Sequence, residues 1–139
     1  MATASARKLF VNLPVKNLKR SMEFFQTVGF TFNKQFTDDS AACMVVSDDA
    51  YFMLLAEPRF RDFTLREICD TQTQIEGIFA LSASSRAEVD ALVKKAIYAG
   101  GTYAQKAQDH GFMYGWGFFD LDGHHFEVLW MDPAHLEKN

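Results

Sequence analysis

Apolar positions near the start of the chain follow first a strand period and then a helix period. The run from Lys8 to Val15 is short, apolar and closed by a proline, which predicts a first strand. Asn17 then precedes apolar residues spaced three and four positions apart, so we expect a helix that Asn17 caps and Gly29 ends. The apolar face of that helix consists of Leu18, Met22, Phe25 and Val28.

Three more strands are predicted after this helix, and a less regular segment follows them. The strands cover residues 30–36, 41–47 and 51–57, with two adjacent aspartates in a tight turn between the last two. From Pro58 to Gln74, charged and apolar residues mix without a clear period. We interpret this segment as a partly helical connector.

The same order of elements begins again after the connector. Residues 77–83 predict a strand, and Ser85 with Glu88 three positions later forms a capping box for a second helix. That helix ends at the pair Gly100 and Gly101. Its inward positions are Val89, Leu92, Val93 and Ala96. The later strands cover residues 102–107, 112–120 and 124–131. A hairpin turn at residues 120–123 joins the last two of them.

The chain thus contains one supersecondary unit twice. An offset of 71 pairs Leu18 with Val89, and an offset of 74 pairs the strand that starts at Tyr51 with the strand that starts at His125. Each βαβββ module covers one face of its sheet with a helix and leaves the other face bare. We therefore expect an α+β fold in which two modules curl a mixed sheet around a shared cleft.

Length, composition and charge limit what the protein does. The 139 residues, 48% of them hydrophobic, fit one domain, with module 1 at about residues 8–57, the connector at 58–76 and module 2 at 77–132. The net charge is 14 − 18 = −4, so nucleic acid and membrane are not expected partners. No stretch approaches the ~20 apolar residues of a membrane helix. Because Met1 to Arg7 lacks the apolar core of a secretory signal, we expect a cytoplasmic protein with Cys43 and Cys69 as buried, unreactive thiols.

The two ends of the doubled pattern resemble a known superfamily. The segments FVNLPVKNLKRSMEFFQTVGF, from Phe10, and FFDLDGHHFEVLWMD, from Phe118, are similar to those of the vicinal oxygen chelate superfamily, which includes glyoxalase I, extradiol dioxygenases and bleomycin resistance proteins. The ending resembles in particular predicted lactoylglutathione lyases. The resemblance covers nearly the whole chain and implies a homodimer that binds a small molecule.

The resemblance also implies four positions for a divalent metal, one on the first and one on the fourth strand of each module. Glu127 matches the glutamate of the superfamily, whereas the other positions carry Phe10, Met53 (Leu54 with a one-residue slip) and Ile78. Phenylalanine and isoleucine have no lone pair, and a thioether is a poor ligand for Zn, Ni, Fe or Mn. We therefore predict no cofactor, with such a metal on Glu127 as the alternative.

Histidines near the end of the chain leave two interpretations open. Strand alternation places His125 and Glu127 on one face, where Asn12 would complete a displaced metal site. Alternatively, His124 and His125 leave the turn with one ring solvated and the other pointing inward. His110 and His135 are expected at the surface.

Glu127 is the candidate catalytic residue. Among Phe10, Met53 and Ile78 its carboxyl would be suited to general base catalysis, whereas a bond to Asn12, Tyr114 or the backbone would make it structural. In the preceding strand, large side chains alternate with glycines, which indicates close approach of a backbone or a ligand. Tyr114 and Trp116 share one face there and would form an aromatic wall.

Three functions are compatible with these residues. The favoured one is binding of a small organic molecule in an aromatic cleft without a metal, with Glu127 as the catalytic candidate and with ligand contacts from Phe10, Asn12, Met53, Ile78, Tyr114, Trp116 and His125. The second is a metal-dependent lyase of the glyoxalase I type or an extradiol dioxygenase. The third is a non-catalytic protein that sequesters a drug or a metabolite.

Overall fold

The structure is a computed structural model that describes residues 7–137. The prediction about a secretory signal concerns residues 1–7, and residues 1–6 lie outside the described part. The chain divides into two compact units, the first made of described residues up to 26 and of 30–68, and the second of 27–29 and of described residues from 69 onward. No helix of the described chain is long and apolar enough to cross a bilayer.

The first unit is a four-stranded sheet with a helix between its first two strands. Its strands lie in the order β1-β4-β3-β2, with β1 parallel to β4 and the other pairs antiparallel. A single 3-10 turn follows β2, so the predicted second strand is shorter than expected. The elements are β1 (Leu9–Val15), α1 (Leu18–Val28), β2 (Thr31–Asn33), β3 (Ala41–Ser47), β4 (Ala50–Ala56) and the short α2 (Glu57–Arg61) of the connector.

Helix α1 forms where the sequence predicts it. The Asn17 side chain accepts a hydrogen bond from the Arg20 backbone N–H (3.1 Å), which satisfies one of the free donors of the first turn. Gly29 follows the helix with a φ of 123°, a backbone conformation that residues other than glycine rarely adopt. The buried face differs from the prediction, because Phe24 is buried while Leu18 and Met22 are only half-buried.

The second unit repeats this arrangement. Its main strands lie in the order β5-β9-β8-β6, with β5 parallel to β9 and a further short strand, β7, paired with β8. The elements are β5 (Ile78–Ser82), α3 (Arg86–Tyr98), β6 (Thr102–Tyr103), β7 (Gln108–Asp109), β8 (Met113–Phe119), β9 (His125–Met131) and α4 (Pro133–Glu137).

The capping box at the start of α3 has one unexpected partner. The Ser85 hydroxyl accepts from the Glu88 backbone N–H (3.0 Å), as predicted. The Glu88 carboxylate, however, accepts from the backbone N–H and the hydroxyl of Ser84 (3.0 and 3.1 Å). Of the strand predicted over residues 102–107, only β6 (Thr102–Tyr103) forms, and β7 (Gln108–Asp109) begins just past its predicted end. Between the two, the Gln105 carbonyl accepts from Trp116 Nε1 (3.0 Å).

The doubled pattern and the α+β fold class are confirmed. Both units place the first strand beside the fourth in parallel and continue to the third and second in antiparallel order, giving two mixed sheets of four and five strands. Gly100 has a φ of 114° after α3, matching Gly29 after α1. That the two bare sheet faces enclose one cleft stays a prediction, as do the module boundaries.

Candidate functional site

The sheet of the second unit has one face under α3 and one face that points away from it. Phe118, Phe126 and Val128 are fully buried on the α3 side. Strand alternation and register place the remaining side chains on the opposite face, which we call the distal face. In these three strands it consists of Ile78, Ala80 and Ser82 of β5, His125, Glu127, Leu129 and Met131 of β9, and Met113, Gly115, Gly117 and Phe119 of β8.

Glu127 is the central acidic group of the distal face. Its Oε2 lies 3.2 Å from His125 Nε2, and its side chain is 23% exposed against 10% for His125. Among the residues that the structure describes, none donates a hydrogen bond to Glu127 Oε1. His125 thus holds Glu127 Oε2 in place, while Oε1 can accept a hydrogen bond from a ligand.

The glycines of β8 create the room in which Glu127 lies. Gly117 is its register partner, and a Cβ at Gly117 would overlap Glu127 Oε2 and lie 2.7 Å from the carbonyl oxygen of Phe126. At Gly115 a Cβ would lie 2.5 Å from Leu129 Cδ2. The glycines of β8 therefore leave room for two side chains of β9, Glu127 and Leu129, which pack directly against the β8 backbone.

Tyr114 and Trp116 share a face, but it is the α3 side and not the distal face. The Tyr114 hydroxyl donates to Asp90 Oδ1 of α3 at 2.5 Å, and this bond raises the pKa of Tyr114. Trp116 stacks on Tyr103 with 5.3 Å between ring centroids. Neither ring therefore contributes to the surface around Glu127, and Tyr114 is not the partner of its carboxylate.

The predicted site residues of the first unit lie on its own sheet face away from α1. Phe10 stacks on Tyr51 with 5.1 Å between ring centroids, and Asn12 donates to the Phe10 carbonyl at 3.3 Å. Met53 pairs with Asn12 in register, in the place that Glu127 has in the second unit. Leu54 is fully buried and points to the other face, so Met53 is the equivalent position.

These residues do not fit the divalent metal of the superfamily. Phe10, Met53 and Ile78 offer no hard donor, and in residues 7–137 no three His, Cys, Asp or Glu side chains lie close enough to hold an ion. His125 and Glu127 supply two donors, whereas catalytic zinc sites use three protein ligands. The displaced site with Asn12 stays a prediction.

The prediction that one of the two adjacent histidines is solvated is wrong. His124 is fully buried and His125 is 8% exposed. On the outer side of the His124 ring lies Glu76 of the connector, whose Oε1 is 2.5 Å from His124 Nδ1 and whose side chain is 28% exposed. Strand alternation alone indicates opposite faces for the two rings and says nothing about a loop that covers one of them.

The two cysteines and the other two histidines are not part of the distal face. Cys43 is buried, whereas Cys69 is only half-buried, and desolvation raises the pKa of both thiols. His110 and His135 are exposed, and the His135 ring stacks on Phe112 with 4.3 Å between centroids.

Comparisons with known proteins agree with this fold. Residues 7–47 match the family model described as bleomycin resistance protein-like N-terminal. The hypothetical protein SA1046 from S. aureus is 26% identical with a TM-score of 0.76, covering 93% of this chain and 95% of that one. A glyoxalase/bleomycin resistance protein/dioxygenase family enzyme from Burkholderia phytofirmans PsJN is 18% identical with a TM-score of 0.75, covering 88% and 96%.

A third similar structure is the fosfomycin resistance protein FosX from Mesorhizobium loti, which is 12% identical with a TM-score of 0.63 and 99% coverage of both chains. No curated protein sequence matches the chain. The resemblance predicted from the two end segments is thus confirmed at the level of the fold, and the family model supports it over residues 7–47. The lactoylglutathione lyase branch receives no specific support.

Proposed function

We propose that this chain, which has the fold of the glyoxalase/bleomycin resistance/dioxygenase superfamily, binds a small organic molecule on the distal face of its second sheet, with Glu127 as the polar anchor. One observation carries the proposal. Glu127 Oε2 is held beside His125 Nε2, while Oε1 accepts no hydrogen bond from the described residues. A partly buried carboxylate oxygen without a donor favours a ligand that supplies one.

The surroundings of Glu127 indicate the chemistry of the ligand. Glu127 itself lies between Ala80 and Gly117 in register. The two apolar side chains flank its partner His125: Ile78 is 59% exposed on β5, and the Phe119 ring on β8 lies 5.0 Å from the His125 ring, centroid to centroid. Apolar side chains on both sides of His125, next to the Glu127 acceptor on the same face, suit a molecule with an apolar body and a single hydroxyl or amine. We therefore assign to Glu127 the role of accepting that donor.

Binding in this proposal does not involve the metal of the superfamily. The support is the donor set, since three of the four equivalent positions carry Phe10, Met53 and Ile78. Orientation of the ligand then rests on Glu127 and on the apolar contacts around it. His125 and Glu127 are the titratable groups of the distal face, so we assign any proton exchange with the ligand to this pair.

The Glu127→Gln variant tests the proposal. Benzyl alcohol, with one hydroxyl on an apolar ring, serves as the probe in an NMR titration of backbone amides, and benzyl methyl ether, which has no donor, serves as its control. We expect saturable shifts on β8 and β9 for the alcohol alone, weakened at least about tenfold by Glu127→Gln, because a hydrogen bond to a charged group contributes about 1.5–3 kcal/mol.

Two controls separate binding from folding. Glu67→Gln removes a carboxylate from the exposed connector and is expected to bind like the wild type. The thermal midpoint of Glu127→Gln should stay within a few degrees of the wild type. Equal binding of the alcohol by wild type and Glu127→Gln, or equal binding of the alcohol and the ether, contradicts the proposal.

A further inference from the structure

Two side chains of β9 extend sideways over β8 on the distal face. Glu127 Oε2 occupies the space in which a side chain at Gly117 would begin. Leu129 follows the same course one row further along the sheet, where its Cδ2 lies 2.5 Å from the Cβ position of Gly115. Both side chains therefore point away from β5, the strand on the other side of β9.

This direction leaves an open strip between β5 and the carboxylate. Ala80 and Ser82 of β5 are the register partners of Glu127 and Leu129, and both are small and exposed. We call the space above Ala80 and Ser82, up to the Glu127 carboxylate, the β5 strip. Since neighbouring strands lie about 4.8 Å apart, the β5 strip is about 10 Å wide and has room for one aromatic ring.

The distal face carries a negative charge without a permanent positive one. Among its side chains in β5, β8 and β9, Glu127 is the single carboxylate, and none is a lysine or an arginine. His125 lies 3.2 Å from Glu127 and offsets its charge only when the ring is protonated. The further polar group, the Ser82 hydroxyl, is neutral. A partly buried carboxylate in such surroundings favours a ligand that brings the positive charge itself.

The rest of the second unit strengthens this preference for a cation. From Cys69 to Asn139 the sequence has 5 lysine and arginine residues and 10 aspartate and glutamate residues, a net charge of 5 − 10 = −5 against −4 for the whole chain. The field of such a charge raises the concentration of cations near the surface and lowers that of anions. An anionic ligand is therefore disfavoured beside Glu127.

The donor set favours an organic cation over a metal ion. In the part of the chain that the structure describes, no three His, Cys, Asp or Glu side chains lie close enough to hold an ion, and Glu127 has one such partner, His125. The neighbouring rows of the distal face carry apolar side chains, among them Ile78, Phe119 and Leu129. An organic ammonium group needs one strong acceptor, and its carbon atoms pack on apolar side chains.

We propose that the ligand of the distal face is an organic ammonium ion, whose nitrogen donates to Glu127 and whose carbon skeleton lies in the β5 strip. This inference rests on the function proposed above and specifies its ligand as a cation. It also makes Ala80 a residue that determines specificity, because a larger side chain at this position would fill the β5 strip.

Three probes with the same aromatic ring and different charges test the inference. Benzylammonium, benzyl alcohol and phenylacetate are titrated at about pH 8 and constant ionic strength, while NMR follows the backbone amides of β5, β8 and β9. We expect benzylammonium to bind at least about fivefold more tightly than benzyl alcohol, because both partners of its hydrogen bond to Glu127 are charged. Phenylacetate should give no saturable shifts, and Glu127→Gln should remove the preference for benzylammonium.

The Ala80→Lys variant tests the β5 strip without altering Glu127. The new side chain fills the strip and brings its own ammonium group to the carboxylate, so we expect benzylammonium to bind at least about tenfold more weakly. Ala91→Lys adds the same charge on the exposed side of α3, on the opposite face of the sheet, and should bind within about twofold of the wild type.

The outcomes distinguish this inference from the function on which it rests. Equal binding of benzylammonium and benzyl alcohol by the wild type overturns the inference and leaves the proposed function standing. Absence of saturable shifts with both probes overturns both. Undiminished binding of benzylammonium by Ala80→Lys, or binding of phenylacetate as tight as that of benzylammonium, also overturns the inference.

Discussion

At the scale of single residues, the candidate site depends on a glycine as much as on the acid. Glu127 Oε2 occupies the space where a side chain at position 117 would begin, and the backbone carbonyl of Phe126 closes the remaining room. A glutamate in the middle of a strand is therefore accommodated by the absence of a side chain on its register partner. Gly117 does not have a positive φ, so its backbone conformation does not require glycine. What requires glycine is the space that Glu127 occupies.

We predict that Gly117→Ala destabilises the protein by about 1–3 kcal/mol, because the new methyl group must displace both a carboxylate and a backbone carbonyl. The same variant should lose binding of benzyl alcohol. Urea unfolding measures the first effect. Gly77→Ala is the control, since its Cβ would meet the Phe79 ring at an ordinary 3.8 Å. Equal stability of the two variants would show that Glu127 does not occupy this space.

Sequence reasoning found the acidic pair of the site but not its surroundings. Alternation along one strand suffices to place His125 and Glu127 together. It also groups Tyr114 with Trp116, yet which sheet face they occupy depends on the register between β8 and β9. That register pairs Gly117 with Glu127 and so turns both aromatic rings toward α3. Periodicity within one strand carries no information about the pairing between strands.

At the scale of elements, both main helices depend on capping side chains that the sequence predicts. Asn17 and Ser85 each accept a backbone N–H from the first turn of the following helix. We expect Asn17→Ala and Ser85→Ala each to lower the free energy of unfolding by about 0.5–2 kcal/mol. Gln26→Ala on the exposed side of α1 should change it by less than about 0.5 kcal/mol.

Urea denaturation followed by circular dichroism measures these three variants. Equal stability of Asn17→Ala and Gln26→Ala would mean that the cap does not stabilise α1.

Element order was predictable because capping residues, glycines and apolar periods agree along most of the chain. The short extent of β6 was not, since the Gln105 carbonyl beyond it bonds to the Trp116 side chain, a contact between strands that periodicity along one strand does not indicate.

At the scale of the whole molecule, one buried acid makes stability depend on pH. Burial raises the pKa of Asp120 from 3.8 to about 6 in the folded protein. The folded state therefore holds this proton more tightly than the unfolded state does. The resulting stabilisation is fully present below about pH 4 and is lost as the pH rises through about 6.

We predict that the wild type loses free energy of unfolding relative to Asp120→Asn as the pH rises from about 4 to about 7. Taking the difference removes the contribution of other carboxyl groups, such as Asp38 and Asp109, whose pKa values are lowered by hydrogen bonds and charges. Urea unfolding over this range is the measurement. A difference that stays constant with pH would contradict a raised pKa for Asp120.

Duplication of the module repeats the strand order without repeating the side chains at equivalent positions. Both sheets have the same strand order, yet the position of Glu127 in the second unit is Met53 in the first. A homodimer and a cytoplasmic location stay predictions at this scale. The absence of the superfamily's metal therefore stays a prediction, which rests on Phe10, Met53 and Ile78 and not on the fold itself.

A crystal structure of the protein purified from cells without chelator would show what the Glu127 carboxylate binds. We expect electron density for an organic molecule whose donor lies within about 3.2 Å of Glu127 Oε1. We also expect His125 and Gly117 to keep the carboxylate in place. A metal ion bound to Glu127, or a donor from the protein itself on Oε1, would contradict the proposed function.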